Sequence, residues 1–217
     1  MHQLPALELI SIHIPKTAGT SFRNVLNDVY GEEHVLRLDI TEHDALLPHV
    51  KLNEVEISKS RLPLQKIKVL HGHFQRSRAA QYFNLPPEVP VITWLRNPVQ
   101  RVISNYLYLR KMVSDRLSGN ELKEHIFCSL LQFAARDANR NRMHRFLETE
   151  ELSQFAFTGK TENFSNDLLQ LKEKMNWQKI RPYNHNQTGH STAEIDEAVL
   201  HEIELLNALD VKLYNSI

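Results

Sequence analysis

Ile14-Pro-Lys-Thr-Ala-Gly-Thr-Ser-Phe-Arg23 places a lysine, three hydroxyls and a glycine within six residues. Those types suit an anion such as a phosphate. Backbone N–H groups at a helix start, together with the helix dipole, favour negative charge. Gly19 lets the backbone curl close to such a group. Thr17, Thr20 and Ser21 add hydroxyl donors, and Lys16 adds a mobile positive charge. The same residues also fit a plain helix start capped by Thr20 or Ser21, with a solvated lysine before it. Further on, Val91-Ile-Thr-Trp-Leu-Arg-Asn-Pro-Val-Gln-Arg-Val-Ile-Ser-Asn-Tyr106 sets Arg96 at the end of an apolar run, with Ser104 eight residues later. An arginine there can meet a phosphate with a planar fork, and a serine can add a donor. Its plainer alternative is a surface arginine before a helix capped by Asn97. The third candidate is His71-Gly72-His73. Imidazole titrates near neutrality and suits a general base. A spacing of two puts both rings on one face if the strand continues. A His-x-His can instead ligate a metal, though no third ligand is evident, or serve structure alone.

The elements that must position these residues read as alternating strands and helices. Leu7–Ile14 is a short apolar run of strand length that stops at Pro15. Phe22, Val25, Leu26 and Val29 then recur at helical spacing. Val35–Ile40 and Lys66–His73 are further strand candidates, and Val91–Leu95 reads as a buried central strand. Pro98 fits the first turn of a helix whose apolar positions are Val99, Val102, Ile103, Tyr106 and Leu107. Short helices are expected at 75–83, 120–135 and 139–148, and a strand at Gln154–Thr158. Phe164, Leu168, Leu171 and Met175 mark another helix. Ser191-Thr-Ala-Glu194 resembles a capping box for a last helix striped by Ile195, Val199, Ile203 and Leu206. The stretch 41–66 stays ambiguous, and 184–190 reads as a polar loop. This order predicts an α/β fold, a central parallel β-sheet flanked by helices, in a single domain over residues 1–217. Ligands in such folds bind beyond the carboxyl ends of the strands.

Composition narrows the function classes. The chain has 217 residues, 41% of them hydrophobic and 24% charged, which excludes wholesale disorder. Its net charge of zero conceals a division. Residues 96–145 carry 10 basic and 4 acidic side chains, whereas residues 146–217 carry 6 and 12. Arg136, Arg140, Arg142 and Arg145 crowd the basic segment; they read as an anion contact or as a solvated face paired with the acidic tail. No nucleic-acid motif is present. The single cysteine, Cys128, excludes an internal disulfide and lies in an apolar run. No stretch approaches the roughly 20 apolar residues of a membrane span, and no basic leader precedes the first strand. The expectation is a cytoplasmic protein or a soluble piece of a trimmed chain.

The glycine-containing loop is not a Walker A loop, in which the lysine follows the last glycine; here Lys16 precedes Gly19. Pro15-Lys-Thr-Ala-Gly-Thr-Ser21 instead resembles the loop by which sulfotransferases bind the 5′-phosphosulfate of 3′-phosphoadenosine 5′-phosphosulfate (PAPS). Arg96-Asn-Pro98 with Ser104 is similar to the family's second motif, which holds the 3′-phosphate. That motif usually reads Arg-Asp-Pro, so Asn97 is a departure. Asn141–Leu147, Phe157–Phe164 and Leu209–Tyr214 are similar to later family segments. Within the family the chain resembles the carbohydrate sulfotransferases of the heparan sulfate 2-O and 6-O type. The resemblance implies a P-loop-like fold and sulfuryl transfer from PAPS to an acceptor hydroxyl, that of a glycan or glycoside, with no metal. It implies a cofactor site formed by Lys16, Thr17, Ala18, Gly19, Thr20, Ser21, Arg96 and Ser104. It nominates His73 as base and His71 as its support or as an acceptor contact, with Lys16 stabilising the leaving phosphate oxygen. The rival readings are a PAPS-binding or nucleotide-binding module without catalysis, and a kinase-like phosphotransferase.

Overall fold

The computed structural model describes residues 1–40, 55–57, 63–116, 128–149, 151–181 and 194–217. Among these described residues the main sheet has six strands. In chain order they are β2 (Leu9–Ile12), β3 (Val35–Ile40), β4 (Val55–Ile57), β5 (Val69–Gly72), β7 (Val91–Leu95) and β8 (Phe157–Lys160). Their spatial order is β4-β3-β5-β2-β7-β8. All neighbours are parallel except the edge strand β4, which runs antiparallel to β3. Two short strands, β1 (His2–Gln3) and β6 (Phe83–Asn84), pair separately.

Alternation along each strand divides the core into two layers, because successive side chains leave opposite faces. Leu9, Val35, Val69, Ile92 and Trp94 point to one layer, where α1 (Gly19–Tyr30) adds Phe22, Val25 and Leu26. The same layer takes Leu168 and Leu171 from α6 (Phe164–Lys174). Ile10, Ile12, Leu36, Leu38, Leu70 and Leu95 point to the other layer. There they meet Met143 and Leu147 of α5 (Arg142–Leu147) and Leu213 of α8 (Ala208–Asn215). A third cluster joins α3 (Pro98–Arg116), α4 (Leu130–Ala134) and α7 (Glu197–Leu206) around Val102, Tyr106, Phe133 and Ile203.

Several boundaries differ from the sequence expectation. The last strand begins at Phe157, three residues late, because Ile92 pairs with Phe157 and Leu95 with Lys160. Gly159 lies under Trp94 in that pairing; a Cβ there would stand 2.4 Å from the indole, so the backbone needs a glycine. The helix expected at 75–83 shortens to α2 (Arg76–Ala79), since Phe83 is taken into β6. The helix expected from 139 starts at Arg142, after a left-handed Asn141 (φ 46°). α7 starts at Glu197, capped by the Asp196 carboxylate on Ala198 N–H (2.8 Å). The expected Ser191 cap lies outside the described residues, as do the loop 184–190 and most of 41–66. Of the helix expected at 120–135 only α4 is described, and Ser129 and Gln132 form its capping box.

Candidate functional site

Strands β5, β2 and β7 lie side by side, so the residues just past their carboxyl ends are neighbours. These are His73, the loop 13–18 and Arg96. The loop owes its form to two non-glycine residues in left-handed conformation, Lys16 (φ 73°) and Ala18 (φ 62°). Such backbone costs roughly 1–3 kcal/mol per residue and persists only where the surroundings enforce it. Thr17 supplies part of that enforcement. It is buried, and its hydroxyl donates to the Ile14 carbonyl at 2.9 Å. The Thr17 hydroxyl, expected among the anion donors, therefore braces the loop.

The start of α1 is open. Ala18 sits at its N-cap with no side-chain cap, and the first turn carries no acidic residue. The first helical bond is Phe22 N–H to Ala18 oxygen at 3.0 Å. That leaves the N–H groups of Gly19, Thr20 and Ser21 outside the helix's own ladder. Neither Thr20 nor Ser21 serves as the cap that the plain reading required. Gly19 is needed for closeness: a Cβ there would lie 1.9 Å from the His13 ring.

His13 leads to the three-histidine arrangement at the centre of the site. Its ring stacks on His73 at 4.1 Å between centroids and on His71 at 5.4 Å. His71 is 2% exposed, its Nδ1 is 2.9 Å from Ser11 Oγ, and burial pushes its pKa down to about 3. The ring is thus closed off from solvent and held from within the sheet. His73 is partly exposed, and its Nδ1 lies 2.7 Å from the His13 carbonyl. A carbonyl only accepts, so Nδ1 carries the proton and Nε2 keeps its lone pair. Burial lowers the His73 pKa, while the Asp39 charge and the bond to His13 act against that. Asp39 holds the segment directly, accepting His73 N–H at 2.9 Å through Oδ1. Its Oδ2 is engaged by Arg37 at 2.6 Å and 2.7 Å. Gly72 permits this approach, since a Cβ would fall 1.9 Å from the Leu38 oxygen.

Arg96 joins the two anion-binding candidates. Its guanidinium donates to the Lys16 carbonyl at 3.3 Å. Burial lowers its pKa, and Glu162 offsets part of that. Glu162 also accepts Asn97 N–H at 2.8 Å and the Tyr214 hydroxyl at 3.2 Å, tying the β8 turn and α8 to the arginine loop. Asn97 caps α3 through its side-chain oxygen on Gln100 N–H (3.1 Å), so the departure from Asp leaves the cap intact. Lys16 Nζ rests 4.1 Å from the centroid of the Tyr108 ring. Burial and then the Arg96 charge lower its pKa. Ser104 is buried on α3, one turn beyond Arg101.

Arg101 is fully buried, and its main partners are the Asn139 carbonyl (2.8 Å) and the Asp210 carboxylate (3.9 Å). Desolvation brings its pKa to about 10. Asp210 also accepts Met143 N–H and His144 N–H at the start of α5. In the basic segment, Arg142 and Arg145 are half-buried and converge on the Ala138 carbonyl at 2.8 Å and 2.7 Å, while Arg140 pairs with Asp137. Two of these arginines are thus partly buried and bonded to backbone, while Arg140 stays exposed.

Sequence reasoning missed His13, Asp39, Glu162 and Tyr108. His13 stands three residues before Lys16, at the exit of a strand, and that placement was a usable signal. The other three carried none, since each joins the site through distant pairing. Among the described residues no group of three or more His, Cys, Asp or Glu is arranged to hold a metal ion. Among them, too, no helix is long and apolar enough to cross a membrane.

An open helix N-terminus beside a lysine and an arginine, at the carboxyl edge of a parallel sheet, is an arrangement by which α/β proteins can receive an anionic group. The chain belongs to the sulfotransferase family, whose model matches residues 4–215. Heparan sulfate 2-O-sulfotransferase 1 of Homo sapiens is 28% identical over 106 residues, which is 47% of this chain and 29% of that protein. The same enzyme of Gallus gallus matches equally. The match thus spans under a third of these relatives' own length. The crystal structure of a sulfotransferase from Alicyclobacillus acidocaldarius superposes with a TM-score of 0.52 at 14% identity. It covers 97% of this chain and 95% of that one, and so shares the fold.

Proposed function

We propose that this chain transfers the sulfuryl group of PAPS to an acceptor hydroxyl, with a carbohydrate as the acceptor. One observation carries the reading: the His13 carbonyl takes the His73 Nδ1 proton, so Nε2 keeps its lone pair on a ring stacked against His13, three residues before Lys16. The donor set fits PAPS. The uncapped start of α1, with the N–H groups of Gly19, Thr20 and Ser21, suits a 5′-phosphate. Arg96 and Ser104 suit a 3′-phosphate and would favour PAPS over ATP. Ala18 contributes through its left-handed backbone, which turns the chain into the helix. When bound, PAPS supplies an electrophilic sulfur whose leaving group is a phosphate oxygen. His73 takes the acceptor proton at Nε2. Lys16 places positive charge where negative charge grows on the leaving oxygen. His71 keeps the stack rigid from within. The carbohydrate acceptor rests on the heparan sulfate relatives alone.

The test is transfer of labelled sulfuryl from PAPS to a panel of glycosides, glycans and non-sugar alcohols. Labelled glycoside or glycan is the expected product. Binding of 3′,5′-ADP without turnover on any acceptor would instead mark a binding module. Preference for ATP with phosphoryl transfer would mark a phosphotransferase, and label on non-sugar alcohols alone would remove the carbohydrate.

A further inference from the structure

We propose that Tyr108 is a positioning residue for Lys16, the face of its ring holding the lysine ammonium in place at the mouth of the loop. The proposal rests on the sulfuryl-transfer reading for what Lys16 does, but its geometry stands apart from that reading. Lys16 Nζ lies 4.1 Å from the ring centroid, within the range of a cation–π contact. The lysine backbone is already fixed, by its left-handed φ of 73° and by the Arg96 hydrogen bond to its carbonyl. What remains variable is the end of a four-carbon stem. Tyr108 lies on α3 one turn beyond Ser104, and residues four apart share a helix face. The same helix thus carries the candidate phosphate serine and the ring that seats the lysine.

The choice of an aromatic partner has a chemical reason. Burial and the neighbouring Arg96 charge both favour loss of the Lys16 proton. A carboxylate would keep the proton but would neutralise the charge that an incoming anion needs. A ring face attracts the cation through its quadrupole and adds no competing anion. Tyr108 is 48% exposed, so the ring itself is not part of the core.

The test compares Tyr108→Leu, Tyr108→Met and Tyr108→Phe. In the unliganded protein the Lys16 ammonium is titrated by NMR after reductive 13C-methylation, with Lys16→Arg to assign its signal. The Leu and Met variants should shift that titration to lower pH and lower kcat about tenfold, the scale of a partly desolvated cation–π contact. The Phe variant should restore both. An unmoved Lys16 titration in the Leu and Met variants would overturn the proposal, and so would a Phe variant as impaired as they are. If the native chain transfers no sulfuryl group while the titration shift is still seen, the functional reading fails and this one stands.

Discussion

His73 Nδ1 lies 2.7 Å from the backbone oxygen of His13, sixty residues earlier in the chain. That bond crosses from the end of β5 to the end of β2, and it sets which nitrogen of His73 can act as a base. The two rings also stack at 4.1 Å, and the His13 ring presses on Gly19 at the head of α1. A single residue therefore links the orientation of the proposed base to the closeness of the candidate anion loop.

Replacing His73 with Ala should lower kcat by about 10²–10⁴-fold, the usual scale of a lost general base. Affinity for 3′,5′-ADP, followed by calorimetry, should hardly change, because the proposed role of His73 is toward the acceptor hydroxyl and not the nucleotide. Undiminished turnover in His73→Ala would refute the assignment.

Arg96→Ala should act on binding. A lost charge-assisted hydrogen-bond donor costs about 1.5–3 kcal/mol, or roughly a 10–150-fold rise in the dissociation constant of 3′,5′-ADP. Lys16→Ala should act mainly on kcat. Calorimetry and initial rates on both variants separate the two roles, and equal effects on both parameters would contradict them.

Asp210→Ala should be strongly destabilising, by about 3–5 kcal/mol, because it leaves Arg101 as a buried charge with no counter-charge. It also removes the acceptor for two N–H groups at the start of α5. Urea denaturation reads the change. The double variant Arg101→Met with Asp210→Asn should recover a substantial part of the loss, and failure to do so would argue against the ion pair as its origin.

Acid should loosen the fold through the histidine stack. Burial lowers the pKa of His13, His71 and His73 below the ordinary 6.5. Each therefore contributes stability that is present above pH 6.5, where the unfolded chain is also neutral. Below that pH the unfolded state binds protons first, and the contribution is lost as pH falls. The slope is about 1.4 kcal/mol per pH unit for each group. For His71 the window extends to its folded pKa of about 3. Denaturant melts at pH 7.5, 6 and 5 should show midpoints falling with pH, and constant midpoints would exclude the effect.

Much of the scaffold was legible in the sequence because its signals are local. Val91–Leu95 and Val35–Ile40 were read with their observed ends, since runs of β-branched and apolar residues mark themselves. The strand–loop–helix around Lys16 and the Arg96-Asn-Pro turn were equally plain, because glycine, proline and hydroxyl spacing act within a few residues. The β8 boundary was missed by three residues because its register is set by β7 across the sheet.

The sequence by itself determined which residue types stand just past the strands: Lys16, His73 and Arg96. Only the tertiary structure decided what each of them meets. Parallel pairing of β2 with β5 carried His13 onto His73, and pairing of β3 with β5 brought Asp39 to the same segment. The run of α3 past the loop laid Tyr108 under Lys16. Proton position and charge depend on such contacts, which join residues about sixty, thirty-four and ninety apart, and no local pattern encodes them.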